Sequence, residues 1–231
     1  MCEGGNSNKI IGSQIYEGGF GIESEIKKLH RKRSPINDQK IYIVTGTPGV
    51  GKTLISNLLA SKLGAEVISV GDLVKKENLH IGWDDERKTL VADLEMVSKR
   101  IRELIDLKRK TLIIEGHYAV QVVPPEKVNL VFVLRRDPRE LKKILEDRGY
   151  NQEKLKENLA AEILDVCLFD AVNICGLEKI CEIDTTEKKP DEILDEITMI
   201  IKGEKKRQVG IVDWLGMLEA EGELDEYMKE F

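Results

Sequence analysis

The chain has 231 residues, of which 41% are hydrophobic and 34% are charged, so it has enough apolar material for a core of ordinary size. Its 36 Lys and Arg residues and 42 Asp and Glu residues give a net charge of −6, which argues against a whole-surface electrostatic interaction with nucleic acid. It contains neither an apolar run of transmembrane length nor the hydrophobic stretch of a signal peptide near its start. We therefore expect a cytoplasmic protein with no membrane partner.

Composition divides the chain into three parts. Residues 1–39 form an extension that is first rich in glycine and then basic, with the basic run at 27–33. Residues 40–203 alternate short apolar runs with segments of helical periodicity. Residues 204–231 form an acidic tail, which from Asp213 onward holds seven acidic residues and one lysine together with several large apolar residues.

The alternating pattern of the middle part predicts the fold. Strands are predicted at 41–45, 66–70, 111–114, 130–134 and 180–183. Helices are predicted at 52–63, 72–78, 92–107, 138–146, 152–172 and 190–202. Asp72 is the predicted N-cap of the second helix. Near-continuous apolar strands are typical of a parallel sheet covered on both faces, so we expect a three-layer α/β sandwich with a five-stranded parallel sheet.

The segment 46–53 reads GTPGVGKT, which fits the pattern GxxxxGKT. It follows a predicted strand and opens a predicted helix, which is the context of a P-loop and disfavours a chance glycine-rich turn. In a P-loop the backbone N–H groups and the helix N-terminus surround a phosphate. The Lys52 ammonium would contact the β- and γ-phosphates, and the Thr53 hydroxyl would ligate Mg²⁺.

Two further residues follow the third predicted strand. Glu115 ends that strand, where a carboxylate can hold Mg²⁺ through water, although an ordinary strand-end charge is the alternative. His117 lies two residues later. For His117 a direct role in the chemistry and a structural role remain equally open.

The sequence lacks the guanine-reading NKxD motif of a GTPase. It has insertions at 69–92 and around Arg148-Gly149-Tyr150, where nucleoside monophosphate kinases carry their acceptor region and lid. Transfer to a phosphate acceptor needs positive charge around the moving group, and it needs no general base because the acceptor oxygen is already ionised. Lys52 and Arg148 would supply that charge, although Arg148 also fits a solvated arginine at a helix end.

From 41 to about 202 the chain resembles the ribosome-assembly adenylate kinases, known in eukaryotes as adenylate kinase isoenzyme 6 or CINAP, and especially their archaeal members. The matching stretches are TGTPGVGKT at 45–53, VGDL at 70–73, GWDDE at 82–86, EGH at 115–117, VFVLR at 131–135, RGY at 148–150, KEN at 156–158 with EI at 162–163, and CEIDTT at 181–186. The resemblance implies a nucleoside monophosphate kinase that converts ATP and AMP into two ADP and also hydrolyses ATP. It further implies a role in maturation of the small ribosomal subunit through a ribosomal protein of the subunit platform.

The resemblance also implies the site residues. ATP would be bound by Gly49, Val50, Gly51, Lys52, Thr53, Leu54, Arg148 and Lys188. The monophosphate would be bound within 69–92 by Gly71, Asp72 and Lys75, and the lid would span 147–157. His117 matches the histidine that the family carries at this place, and we expect Lys52, His117 and Arg148 to be catalytic. Lys75 replaces an arginine of many eukaryotic members, and lysine lacks the bidentate fork of arginine.

Other functions stay open on the sequence alone. The chain can instead be a nucleotide-gated assembly ATPase that acts on a ribosomal protein with little kinase activity, or a kinase of small metabolites. The basic run at 27–33 is either a transient rRNA contact or, the favoured interpretation, a solvated helix face. The tail either packs on its own domain or docks to a basic partner.

Overall fold

The structure, a computed structural model, describes residues 39–228. The predicted basic run at 27–33 lies outside the described residues. The elements of the amino-terminal half are β1 (Ile41–Thr45), α1 (Lys52–Leu63), β2 (Glu66–Ser69), α2 (Val70–Glu77), β3 (His80–Asp84), β4 (Thr89–Ala92), α3 (Leu94–Leu107), β5 (Leu112–Glu115) and α4 (Ala119–Val122). Those that follow are β6 (Leu130–Arg135), α5 (Pro138–Asp147), α6 (Gln152–Ile163), α7 (Val166–Cys175), β7 (Ile180–Asp184), α8 (Pro190–Lys202), α9 (Trp214–Glu221) and α10 (Leu224–Met228). Among these described helices none is long and apolar enough to cross a membrane.

Five strands form one parallel sheet in the order β2-β5-β1-β6-β7. The predicted five-stranded parallel sheet is therefore confirmed. Because all five strands run the same way, their carboxyl ends share one edge, where Ser69 is paired in register with Glu115 and Glu115 with Val44. In an open α/β sheet this edge is where ligands bind.

Side chains alternate between the two faces of the sheet, and each face has its own core. On one face Ile43, Ile114 and Val133 pack with residues of α2, α3, α4 and α7. On the other face Val44 and Phe132 pack with residues of α1, α5, α6 and α8. The three layers of the expected sandwich are therefore present, and the strands are buried on both faces as their apolar sequences predicted.

The boundaries near α2 differ from the prediction. The helix begins at Val70, so the strand before it ends at Ser69 rather than at Val70. The predicted N-cap, Asp72, was wrong: Ser69 is the N-cap, and its hydroxyl accepts a hydrogen bond from the Asp72 backbone N–H. Asp72 instead lies in the first turn, where its negative charge still suits the helix dipole.

Two larger features escaped the sequence analysis. The region after α2 contains an antiparallel hairpin, β3 paired with β4, where no strand was predicted. The single helix predicted at 152–172 is two helices, α6 and α7, because Asp165 has a left-handed backbone with φ of 58°. The Asp165 carboxylate forms an ion pair with Arg135 of β6, so a tertiary contact favours the break.

Residues 204–228 of the acidic tail pack on their own domain, which is the first of the two arrangements considered. Trp214, Leu218 and Tyr227 are buried, and Leu218 and Tyr227 belong to the core that contains α5 and α6. Burial of such large apolar side chains stabilises a fold by roughly 1.5–3 kcal/mol for each residue. Leu218 and Tyr227 of the tail are therefore part of the core.

Three acidic residues of the tail face two basic residues of α5. Arg139 forms ion pairs with Glu221 and, at 2.9 Å, with Glu223, while Lys142 lies 2.7 Å from Glu226. These groups are partly exposed to water, where each ion pair contributes little free energy. They orient the tail, and apolar burial supplies most of its stability.

We expect Leu218→Ala to lower the melting temperature by about 5–15 °C, because truncating a fully buried leucine costs about 2–5 kcal/mol. The matched control is Leu215→Ala on the same helix, where the side chain is 38% exposed. It should change stability by less than about 1 kcal/mol. Equal melting temperatures for the two variants in a calorimetric scan would show that α9 does not contribute to the core.

Candidate active site

A cavity of about 760 Å³ opens at the carboxyl edge of the sheet. Its walls come from four parts of the chain: the loop between β1 and α1 with the start of α1, the segment from α2 through the hairpin, the loop after β5, and the segment from the end of α5 into α6. The cavity therefore brings together the P-loop, the predicted acceptor region and the predicted lid.

The loop between β1 and α1 has the geometry of a phosphate cradle. Gly49 and Gly51 both have φ of 102°, which side-chain-bearing residues rarely adopt. Gly51 is also the N-cap of α1, so the first backbone N–H groups of that helix lie at the edge of the cavity. Backbone N–H groups and a helix N-terminus together form an anion site.

Lys52 is held at this cradle by its own loop. Its ammonium donates a hydrogen bond of 2.9 Å to the Thr47 carbonyl oxygen. Burial lowers the pKa of Lys52, while the nearby Cys167 and Glu115 oppose that shift. A phosphate in the cradle would add negative charge beside this ammonium and stabilise its charged form.

Thr53 and Glu115 face each other across the cradle. The Thr53 hydroxyl lies 3.4 Å from the Glu115 carboxylate, which is buried at the end of β5. Hydroxyl and carboxylate oxygens are hard ligands that suit Mg²⁺, which takes its remaining ligands from water and substrate phosphates. The donor chemistry of this pair therefore fits Mg²⁺.

His117 lines the cavity beside Lys52. Its ring packs edge-on against Tyr118, with 4.4 Å between the ring centroids, and its carbonyl oxygen accepts a hydrogen bond from the Thr45 hydroxyl. The ring is open to the cavity, yet the surrounding protein removes much of its bulk water. This desolvation, followed by the charges of Lys52 and Lys154, lowers the pKa of His117 to about 4. His117 is therefore a neutral imidazole at pH 7.

The buried carboxylate of Glu162 on α6 is hydrogen-bonded to the P-loop. It accepts hydrogen bonds from the Thr47 hydroxyl, from the Arg135 Nε at 2.8 Å, from the Arg136 backbone N–H at 3.1 Å and from the Trp214 indole at 3.2 Å. Four donors leave little of its acceptor capacity unused. Glu162 thus joins the P-loop to the end of β6, to α6 and to the tail.

Arg135 extends this network to β7. Its Nη1 donates to the buried Glu182 carboxylate at 2.7 Å, and its Nη2 contacts Asp165. The second oxygen of Glu182 accepts the backbone N–H groups of Gly210 and Ile211 at 2.6 and 2.9 Å. In the sequence, Arg135, Glu162 and Glu182 stand out only as members of stretches that resemble the family, and none of the three was predicted to support the site.

The predicted lid meets the hairpin at the cavity. The Arg87 guanidinium, in the turn between β3 and β4, donates two hydrogen bonds to Glu157 of α6. Arg87, Lys154 and Glu157 all line the cavity together with Arg148. Arg87 and Lys154 were not among the predicted site residues. Arg87 lies within the predicted acceptor region 69–92 and Lys154 within the predicted lid 147–157, but the sequence did not single out either residue.

Most of the predicted site residues lie in this cavity. Those that line it are Gly49, Gly51, Lys52, Thr53, Leu54, Gly71, Lys75, Glu115, His117 and Arg148. Val50 is buried beneath the loop in the sheet core. Asp72 lines a neighbouring cavity of about 380 Å³, and Lys188 lies away from both cavities with its ammonium 3.4 Å from Glu196.

Comparison with known proteins identifies the family. The family model described as "AAA domain" matches residues 43–165. A Methanocaldococcus jannaschii protein named "Putative adenylate kinase" is 43% identical over 171 residues, covering 74% of this chain and 90% of its own. A Thermococcus kodakarensis protein of the same name is 41% identical over 174 residues, covering 75% and 92%. The chain belongs to the family of these archaeal proteins named "Putative adenylate kinase".

The matched region contains all the residues that line the cavity, since these run from Pro48 to Asn158. Among solved structures, the shikimate kinase of Bacteroides thetaiotaomicron overlaps 71% of this chain and 98% of its own, at a TM-score of 0.47 and 14% identity. The sequence relatives, and not this structural likeness, confirm the resemblance at the level of the archaeal family.

The lowered pKa of His117 predicts how the stability of this protein depends on pH. In the unfolded chain the histidine takes up a proton near pH 6.5, and in the folded protein only near pH 4. Between these values the unfolded state binds more protons, so stability falls as pH falls. We expect His117→Asn to reduce, by a few degrees, the drop in melting temperature between pH 7 and pH 5. Equal drops for both proteins, measured without nucleotide, would contradict the lowered pKa.

Proposed function

We propose that this protein is a nucleoside monophosphate kinase that transfers the γ-phosphoryl group of ATP to AMP and forms two ADP. The observation that carries the proposal is the single cavity that joins the P-loop to the acceptor region and the lid. Direct transfer between two nucleotides requires both phosphates in one water-excluding space. The names of the archaeal relatives support the same activity.

The P-loop side of the cavity binds the donor in this proposal. The N–H groups around Gly49 and Gly51 would hold the β-phosphate, and Lys52 would stabilise the charge that spreads over the transferring group. Arg148, at the carboxyl end of α5, would approach the same group from the lid. Lys188 lies outside the cavity, so its predicted contact with ATP would require the nucleotide to extend toward the loop before α8.

The acceptor side is formed by Gly71 and Lys75 of α2 and by the hairpin. An acceptor phosphate carries ionised oxygens at pH 7, so it attacks without a general base. Catalysis then depends on holding donor and acceptor in line and on neutralising charge. Asp72 lines the neighbouring cavity, so it would affect acceptor binding only by holding α2 in position.

The resident cation of this proposal is Mg²⁺, held by Thr53 and through water by Glu115. When bound, it would neutralise charge on the phosphates of ATP. The 3.4 Å separation of the Thr53 hydroxyl and the Glu115 carboxylate supports this assignment. No cluster of three or more His, Cys, Asp and Glu side chains that could hold a metal occurs among residues 39–228, so substrate phosphates and water would complete the coordination.

A second candidate is a nucleotide-gated assembly ATPase, and the position of His117 in the same cavity as Lys52 favours it. A neutral imidazole can accept a hydrogen bond from water, and hydrolysis, unlike transfer to AMP, needs an ordered water near the γ-phosphate. The ribosomal platform protein as a partner, and maturation of the small subunit as a role, rest on the sequence resemblance. Association with that protein in ATP but not in ADP would support this candidate.

We expect Lys52→Ala to lower ADP formation from ATP and AMP on the order of 10²-fold or more, because it removes the charge that stabilises the transferring group. The fold should remain, since among residues 39–228 this ammonium donates one hydrogen bond, to the Thr47 carbonyl oxygen.

The matched control is Lys62→Ala near the end of the same helix, where the exposed ammonium forms an ion pair with Asp195. Its turnover should equal that of the natural protein. A folded Lys52→Ala protein with normal turnover would rule out the P-loop as the donor site.

A further inference from the structure

We propose that Arg87 binds the phosphate of the acceptor nucleotide and that Glu157 occupies its guanidinium until the acceptor arrives. The inference rests on the proposed function and adds an acceptor-binding residue to it. Arg87 lies in the turn between β3 and β4, and both Arg87 and Glu157 line the cavity that contains Lys52.

The cavity offers few groups that can grip a phosphate with two parallel hydrogen bonds. Among the described residues that line it, the guanidinium groups are those of Arg87 and Arg148. Arg148 belongs to the lid and serves the donor in the proposed function. Lys75 is the cation of α2 on the acceptor side, but an ammonium is a point charge without a planar fork. Arg87 is therefore the guanidinium that remains for the acceptor.

Arg87 already presents the edge that would bind a phosphate. Its Nε and Nη2 donate to the two oxygens of Glu157 at 3.1 and 2.6 Å. A phosphate offers a similar pair of oxygens with greater negative charge, so it can accept the same two hydrogen bonds in place of this carboxylate. Glu157 is about one third exposed, and its carboxylate can turn to water when displaced.

The rest of Arg87 is fixed independently of Glu157. Its Nη1 donates to Asp84 at 2.9 Å, and its backbone N–H donates to the other oxygen of Asp84 at 2.8 Å. The turn is also joined to the start of α6, where the Asn151 amide donates to the Glu86 carbonyl oxygen at 3.1 Å. The guanidinium therefore stays at the cavity after Glu157 leaves it, and the exchange needs only a side-chain movement of Glu157.

The experiment measures the dissociation constant of AMP by titration calorimetry for the full chain and four variants: Arg87→Ala, Arg87→Lys, Glu157→Gln and Arg100→Ala. Arg100 is the matched control, because its Nε and Nη2 donate to Glu77 at 2.7 and 3.2 Å in the same side-on geometry outside the cavity. Melting temperatures of all variants verify that each one is folded.

If Arg87 binds the phosphate, Arg87→Ala should weaken AMP binding by about 10- to 100-fold, the range expected for charged hydrogen bonds. Arg87→Lys should recover only part of this loss, because the charge returns without the fork. Glu157→Gln should bind AMP at least as tightly as the natural protein, since it removes the competing charge, and Arg100→Ala should not change it.

Two results would overturn the inference while leaving the proposed function intact. In one, Arg87→Ala binds AMP as tightly as the natural protein. In the other, Arg87→Ala and Glu157→Gln weaken binding equally, which would mean that the pair only fastens the hairpin to the lid. A natural protein that does not bind AMP at all would overturn the proposed function together with the inference.

Discussion

The Glu162 carboxylate is the constraint on which the active site depends. It is buried, and its four donors come from the P-loop, the end of β6, the following residue and the tail. Removing one partner of such a buried pair costs about 3–5 kcal/mol, because an uncompensated charge remains. The position of Thr47, and with it the carbonyl oxygen that holds Lys52, is therefore tied to the packing of α6 and α9.

The charged groups that hold the fold together are different from those that line the cavity. The Arg135 guanidinium forms ion pairs with Glu162 and Glu182 inside the protein. It therefore stabilises the edge of the sheet and is not available to bind substrate. Lys52 and Arg148 remain at the cavity, where charge would develop during phosphoryl transfer. Preorganised charges of this kind stabilise a transition state without having to reorient during the reaction. The tail belongs to this scaffold, since its indole and backbone amides complete the two carboxylate networks.

The sequence predicted the parts of the fold that short-range patterns determine. β1 and α1 were placed at their observed bounds because an apolar run, the GxxxxGKT turn and a leucine periodicity coincide there. The break between α6 and α7 escaped because it depends on the long-range pairing of Asp165 with Arg135. The hairpin escaped because it joins two short strands across a charged turn. Glu162 likewise lies within a helical pattern like any solvated glutamate, and only the fold shows which donors surround it.

In the proposed reaction, phosphoryl transfer occurs between two nucleotides in one cavity. The most direct test is to quantify ATP, ADP, AMP and free phosphate after incubation of the full chain with ATP and Mg²⁺, with and without AMP. The proposal predicts that AMP and ATP disappear in equal amounts, that ADP appears in twice that amount and that little phosphate is released. Phosphate released in step with ADP, at a rate that AMP does not change, would contradict it and favour the assembly ATPase.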